Sequence, residues 1–230
     1  MISVAAFLGN YGNEYKNTRH NAAWLFADTL PFFSNLNFVS KFDGELAAVD
    51  YSQFVNYVLN YYPSVCGEGS EGPKVVIPKN APSKIYFLKP QTYMNLSGQS
   101  IGQLCKFFKI KPEEVLVIHD ELELKNGFFS LKWSGGLAGH NGLRSTKDAL
   151  GTADFWRLRF GIGKPSDINI ADYVLSNFTK DEMPLMDKVF KSAGELFVRT
   201  LLASDPSKLL NQWGKVNVNA NSSIKTNTNA

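Results

Sequence analysis

The groups in this chain with the most chemistry to offer are its three histidines, His20, His119 and His140. A neutral imidazole can take a proton from water near physiological pH, and a neighbouring carboxylate would orient it and stabilise its cation. Asp120 directly follows His119 and would serve His20 in that way if the fold brings the two together. The side-chain amides of Asn10, Asn95 and Asn141 could donate hydrogen bonds to a carbonyl or a developing oxyanion. No serine sits in a Gly-x-Ser-x-Gly elbow and neither cysteine has a spaced partner. Direct attack by water is therefore favoured over a covalent intermediate. Other assignments stay open at this point. His119, Asp120 and His140 could hold a metal, although their spacing follows no strong ligand template. Asp120 could merely cap a turn, and each histidine could be structural.

These residues must be positioned by the elements around them. Ile2–Leu8 reads as a buried first strand running into the turn Gly9-Asn10-Tyr11-Gly12. Helices are predicted over Ala22–Leu30, ended by Pro31, from a cap at Ser97 through Phe108, and over Asp181–Leu202. Lys84–Leu88, Val115–Ile118 and Trp156–Ile162 are further strands. Strands alternating with helices predict one α/β domain over residues 1–214, its central sheet covered on both faces. Ends of strands in such sheets are where ligands bind, so the loops carrying the three histidines can converge on one crevice. Tyr51–Pro82 reads as an inserted aromatic helix face followed by a Gly/Pro-rich loop, and residues 215–230 as a disordered Asn/Ser/Thr-rich tail.

At 230 residues, 44% hydrophobic and 20% charged, the chain has ordinary globular composition, with a core expected to be rich in its 17 phenylalanines. Two distant cysteines, Cys66 and Cys105, exclude a disulfide framework by count, and their spacing argues against a structural zinc site. The apolar start lacks a basic leader, and no apolar run is long enough to cross a bilayer, so a cytoplasmic protein is expected. The net charge of +3 permits a polyanion without arguing for one. Lys132, Arg144, Lys147, Arg157, Arg159 and Lys164 would make a phosphate-binding patch if they share a face, and otherwise a solvated surface.

Five segments, in order, resemble bacterial-type peptidyl-tRNA hydrolases. They are Gly9–Tyr15 with Thr18–Asn21; Lys89–Gly98; His119–Leu124; Leu131–Lys132 through Gly139–Arg144; and Phe155–Gly163. The resemblance runs from the first strand to about Phe178 and implies a single α/β domain with a mixed, twisted sheet. It further implies that His20 is the base activating water against the ester between peptide and tRNA, and that Asp120 holds it in its basic form. Asn10 matches the residue that tells N-blocked peptidyl-tRNA from free aminoacyl-tRNA. Tyr15, Tyr93, Asn95 and Asn141 match substrate-binding positions, with Met94 and His140 beside them, and Lys132 and Arg157 match basic residues that clamp tRNA phosphate.

The same resemblance implies a monomer with no metal or organic cofactor and no membrane partner. A non-catalytic RNA-binding relative of the same fold is the alternative, against which the retained His20, Asp120 and amide cluster argue. Where these hydrolases usually have Pro, this chain has Tyr11; where they have Asp, it has Glu123; and Ser134 and Ala138 replace glycines. A negative φ is expected at Ala138, because a Cβ disfavours the left-handed region.

Overall fold

A computed structural model describes residues 1–69, 72–165, 167 and 169–220. In chain order its strands and helices are β1 (Val4–Phe7), α1 (Ala22–Thr29), β2 (Val39–Lys41), β3 (Gly44–Asp50), α2 (Tyr51–Tyr61), β4 (Gly67–Gly69), β5 (Gly72–Lys74), β6 (Lys84–Pro90) and α3 (Ser97–Phe108). There follow β7 (Val115–Glu121), β8 (Phe128–Trp133), α4 (Asn141–Leu150), β9 (Trp156–Gly161), α5 (Ile170–Leu175), α6 (Met183–Leu202), α7 (Leu210–Trp213) and β10 (Val216–Asn217).

Eight of the strands form one mixed sheet in the order β10-β8-β9-β7-β1-β6-β3-β2. Its centre, β9-β7-β1-β6, is parallel, and the pairs outside it are antiparallel. All four residues of β1 and all seven of β7 are buried, as expected of strands covered on both faces. Alternation along β1 divides the core. Ala5 and Phe7 face a cluster with Phe26 of α1, Phe54 of α2 and Phe190 and Phe197 of α6. Val4, Ala6 and Leu8 face a second cluster with Ile101 and Leu104 of α3 and Leu143 of α4. The chain thus leaves β1 toward one face and β6 toward the other, which opens a crevice at the carboxyl ends of the central strands.

Several expectations are corrected. Ser97 does not cap α3: it is the helix's first residue, and its hydroxyl donates to the Met94 carbonyl at 2.9 Å. The chain beyond Trp213 does not turn disordered at once. Val216 and Asn217 pair with Phe129 and Phe128, and Val216 is buried; residues 221–230 lie outside those described. The Tyr51–Pro82 segment holds α2 and the small β4–β5 hairpin rather than a helix and a bare loop.

Ala138 takes φ +49°, not a negative value, and Ser134 does the same. The left-handed region costs a residue with a Cβ about 1 kcal/mol. Ala138→Gly is therefore expected to stabilise the fold by about 0.5–1 kcal/mol, read as a higher urea midpoint at unchanged slope. A lower midpoint would show that the loop tolerates the strain without loss.

Candidate active site

The crevice is a cavity of about 620 Å³. One edge of it comes from three chain segments. β1 runs out through Gly9, whose added Cβ would lie 2.7 Å from the Trp24 indole, so only glycine lets the strand pass. Asn10 follows and is held on both sides: Asn21 Oδ1 accepts its backbone N–H at 2.8 Å, and Asn21 Nδ2 donates to its carbonyl at 2.9 Å. The rigidity that Pro would have given position 11 is supplied by this clamp. Asn10 Oδ1 accepts the Met94 N–H at 2.7 Å. Its Nδ2, with no partner among the described residues, is the group left for a ligand.

His20 sits in a short 3-10 turn, Arg19–Asn21, ahead of α1. Asp120 lies in the last turn of pleat of β7, which runs on past the predicted Ile118 to Glu121. The two meet across the sheet end, His20 Nδ1 standing 2.9 and 3.0 Å from the two Asp120 oxygens. His140 Nε2 reaches Asp120 Oδ1 at 3.0 Å from the other side. His140 Nδ1 accepts the Gly142 and Leu143 N–H groups and so caps α4. An atom that accepts two backbone donors carries no proton, so the proton of His140 is on Nε2 and points at Asp120.

Burial alone would push the Asp120 carboxyl up, but the charges and hydrogen bonds of His20 and His140 outweigh it and hold the group well below the usual carboxylate range. An ionised Asp120 only accepts, so His20 donates Nδ1–H to it and keeps its Nε2 lone pair free.

The donor set suits a metal poorly. A cation taking His140 Nε2 would displace its proton to Nδ1, against the two N–H groups that end there. His20, Asp120 and His140 are already in mutual hydrogen-bond contact.

His119 is not part of this edge. It is buried, donates Nδ1–H to the Asp120 carbonyl at 2.6 Å, and is held well below the ordinary imidazole value by burial and then by His140. An unfolded histidine titrates near pH 6.5, so below that the unfolded chain binds a proton the folded one refuses. The stability from a neutral His119 is complete above about pH 6.5 and is lost as pH falls, by up to about 1.4 kcal/mol per unit. Asp120, depressed in its turn, acts only at lower pH. Urea titrations at pH 7.5 and 5.5 should show a drop about 1 kcal/mol larger in the wild type than in His119→Gln; equal drops would assign the proton elsewhere.

Tyr15, Tyr93, Met94, Asn95 and Asn141 also line the cavity. The rings of Tyr11 and Tyr15 stand 4.9 and 6.4 Å from that of Tyr93, an aromatic rim at the mouth. Lys132 and Arg157 are not in the cavity lining. Lys132 is half-buried beside Gly135, and burial, then Arg159 and Arg157, lower its pKa. Arg157 departs from the phosphate-clamp expectation. It is 1% exposed, and its guanidinium donates to the Gly136, Gly135 and Ala153 carbonyls at 2.8, 2.9 and 3.5 Å. It pins the Gly-rich loop from within.

The opposite wall was missed from sequence. Leu122, Ile170, Ala171, Val174 and Leu175 make it apolar, and the last four belong to α5. Arg19 ties that segment down, donating to Ser176 Oγ, the Asn177 carbonyl and Glu182, with its guanidinium 4.4 Å from the Tyr173 ring centroid. The only signal for it was the Thr18-Arg19-His20-Asn21 run itself.

A histidine on a buried carboxylate, with side-chain amides around a half-apolar cleft at the strand ends of an α/β sheet, is an arrangement suited to hydrolysis. A sequence model of peptidyl-tRNA hydrolases matches residues 4–221. The peptidyl-tRNA hydrolase of Treponema pallidum (strain Nichols) is 41% identical over 218 residues, covering 93% of this chain and 95% of that protein. That of Desulfitobacterium hafniense (strain Y51) is 40% identical over 189 residues, 82% of this chain and 86% of that one. The solved peptidyl-tRNA hydrolase of Acinetobacter baumannii superposes with a TM-score of 0.70 at 33% identity, over 92% of this chain and 93% of that chain. The chain belongs to the peptidyl-tRNA hydrolase family.

Proposed function

We propose that this peptidyl-tRNA hydrolase cleaves its ester by direct attack of water, with His20 as the base. The observation that carries the reading is the His20 Nδ1–Asp120 contact of 2.9–3.0 Å at the edge of the cavity. His20 Nε2 takes a proton from water as its oxygen bonds to the ester carbonyl carbon. The oxyanion is met by amide donors from Asn95 or Asn141. Its collapse breaks the bond to the ribose oxygen, which leaves with the proton from the His20 imidazolium. Free tRNA and a peptide acid result. All these groups come from one chain, which fits a monomer acting in the cytoplasm, where translation supplies the substrate. Lys132, at the base of the Gly-rich loop, would meet tRNA phosphate, and Arg157 would act by holding that loop.

Selection for a blocked amino group follows from the orientation of Asn10. Its oxygen is spent on Met94, so it presents an NH₂ group, which binds the carbonyl of an N-acyl substituent and offers nothing to an ammonium. Asn10→Asp keeps the Met94 contact and replaces the donor with a carboxylate oxygen. With labelled N-acetyl-aminoacyl-tRNA and its unblocked counterpart, the variant should narrow the ratio of kcat/KM values at least about tenfold, the worth of one charged hydrogen bond. A ratio that stays at the wild-type value would remove Asn10 from this role.

A further inference from the structure

The bond from the Met94 N–H to Asn10 Oδ1, at 2.7 Å, ties two chain segments together at the mouth of the cavity. The residue after Asn10 and the residue before Met94 are both tyrosines, and both are open to solvent, Tyr11 by 40% and Tyr93 by 46%. Their ring centroids stand 4.9 Å apart with the planes tilted by 42°. The Tyr15 ring meets that of Tyr93 edge to face, at 87° and 6.4 Å. A hydrogen bond with Tyr11 raises the Tyr93 hydroxyl above the ordinary phenol value, so the two side chains are joined through their hydroxyls as well as their rings. The three rings make a shallow aromatic notch beside Asn10.

A carboxylate stands next to this notch. Gly12 takes φ +110°, and a Cβ on it would fall 2.6 Å from Glu14 Oε2, so the glycine leaves the room into which the Glu14 side chain folds back. The Glu14 charge is felt at the notch, where it adds to the rise at Tyr93. Glu14 is exposed, and among the described residues no lysine, arginine or histidine pairs with it. Ring faces carry the negative part of the aromatic quadrupole and attract ammonium and guanidinium groups, and a free carboxylate adds to that attraction.

The place of the notch fixes which part of the substrate meets it. In the proposed reaction the Asn10 NH₂ group binds the carbonyl that blocks the amino group of the ester-linked residue. In a peptide that carbonyl belongs to the residue second from the ester. Its side chain departs beside Asn10, where Tyr11 and Tyr93 are the neighbours. We infer that Tyr11, Tyr93, Tyr15 and Glu14 form a subsite for the side chain of the residue second from the ester, and that this subsite favours a cation, lysine or arginine. Tyr11 is then a specificity-determining residue of this chain, supplying a ring face at the position where related hydrolases usually have proline.

The inference rests on the proposed reaction, so the test separates the two. The substrates are tRNA esters of N-acetyl-Phe, N-acetyl-Lys-Phe and N-acetyl-Met-Phe. The first has no side chain at the second position, and its cleavage by the wild type, lost in His20→Ala, tests the reaction itself. For the subsite, the readout is the ratio of kcat/KM for the Lys ester to that for the Met ester, two side chains of similar length that differ in charge. The wild type is expected to give a ratio of about five, the worth of an exposed cation–π contact together with a screened carboxylate. Tyr11→Leu and Glu14→Gln should each bring it to about two, while Tyr11→Phe, which keeps the ring face, should hold it near the wild-type value. The wild-type ratio should also fall as salt rises, since the charges are exposed. Filter binding to His20→Ala, which leaves the esters uncleaved, should show the same preference as affinity. A wild-type ratio below about two would overturn the subsite whether or not His20 is the base. So would a ratio left unchanged by Tyr11→Leu or by Glu14→Gln, or a fall in Tyr11→Phe as large as in Tyr11→Leu.

Discussion

Replacing His20 with alanine is expected to lower kcat for an N-acetyl-aminoacyl-tRNA by at least about a hundredfold, general base catalysis contributing about 10²–10⁴. That is about 3 kcal/mol or more of barrier. Substrate affinity should change little, because the amides of Asn10, Asn95 and Asn141 and the cavity they line stay in place. Asn10 in particular is held by Asn21 and Met94, not by His20. The fold should survive, since Asp120 keeps the Nε2–H of His140 as a partner. Single-turnover cleavage combined with filter binding separates the two quantities. Added imidazole should restore part of the rate, as a small base entering the space the side chain leaves. Rapid cleavage that persists in His20→Ala would sink the mechanism, whatever the affinity.

How much of this site could be read from sequence depends on the residue. The strands of the sheet's centre were legible because β1, β6 and β7 carry unbroken apolar runs, and because β9 alternates Trp156, Leu158 and Phe160 with arginines. The outer strands β2 and β3 were not: every residue of β2 is exposed, so no burial pattern marks it. His20 and Asp120 were legible as chemistry, since a lone imidazole and a carboxylate suggest a base and its orienter. Their meeting followed from the resemblance alone, because they are 100 residues apart and only the strand order joins them. His119 illustrates the converse. Adjacent to Asp120 in sequence, it points into the fold and serves as a backbone donor.

Arg157 was misread for a simple reason. An arginine in a strand reads as a surface charge, because sequence cannot announce that three carbonyls wait for it inside. The apolar wall of α5 left no trace either, since six residues are too few for a helical stripe to emerge. The left-handed Ala138 follows from a loop whose path is set by its anchors, Arg157 and the α4 cap, rather than by its own preferences.

Asp120→Asn is expected to be nearly as damaging as loss of His20 while sparing affinity. The native carboxylate accepts from both imidazoles, His20 at Oδ1 and Oδ2 and His140 at Oδ1. An asparagine in the same place has one oxygen and one NH₂ group. If the oxygen takes the Oδ1 position, it still accepts from His140, whose proton is fixed on Nε2 by the α4 cap. The NH₂ then lies where Oδ2 stood, 3.0 Å from His20 Nδ1, and donates to it. That donor opposes the Nδ1–H of His20 and favours the tautomer with its proton on Nε2, the atom that should take one from water. The flipped amide fares worse, because its donor would face the Nε2–H of His140. A base in the wrong tautomer costs about 10²–10⁴ in kcat. KM and the salt dependence of binding should stay near wild type, since Asp120 is buried and its oxygens are taken by His20 and His140. A variant that bound weakly yet kept its kcat would mean that Asp120 shapes the cleft and leaves the histidine alone.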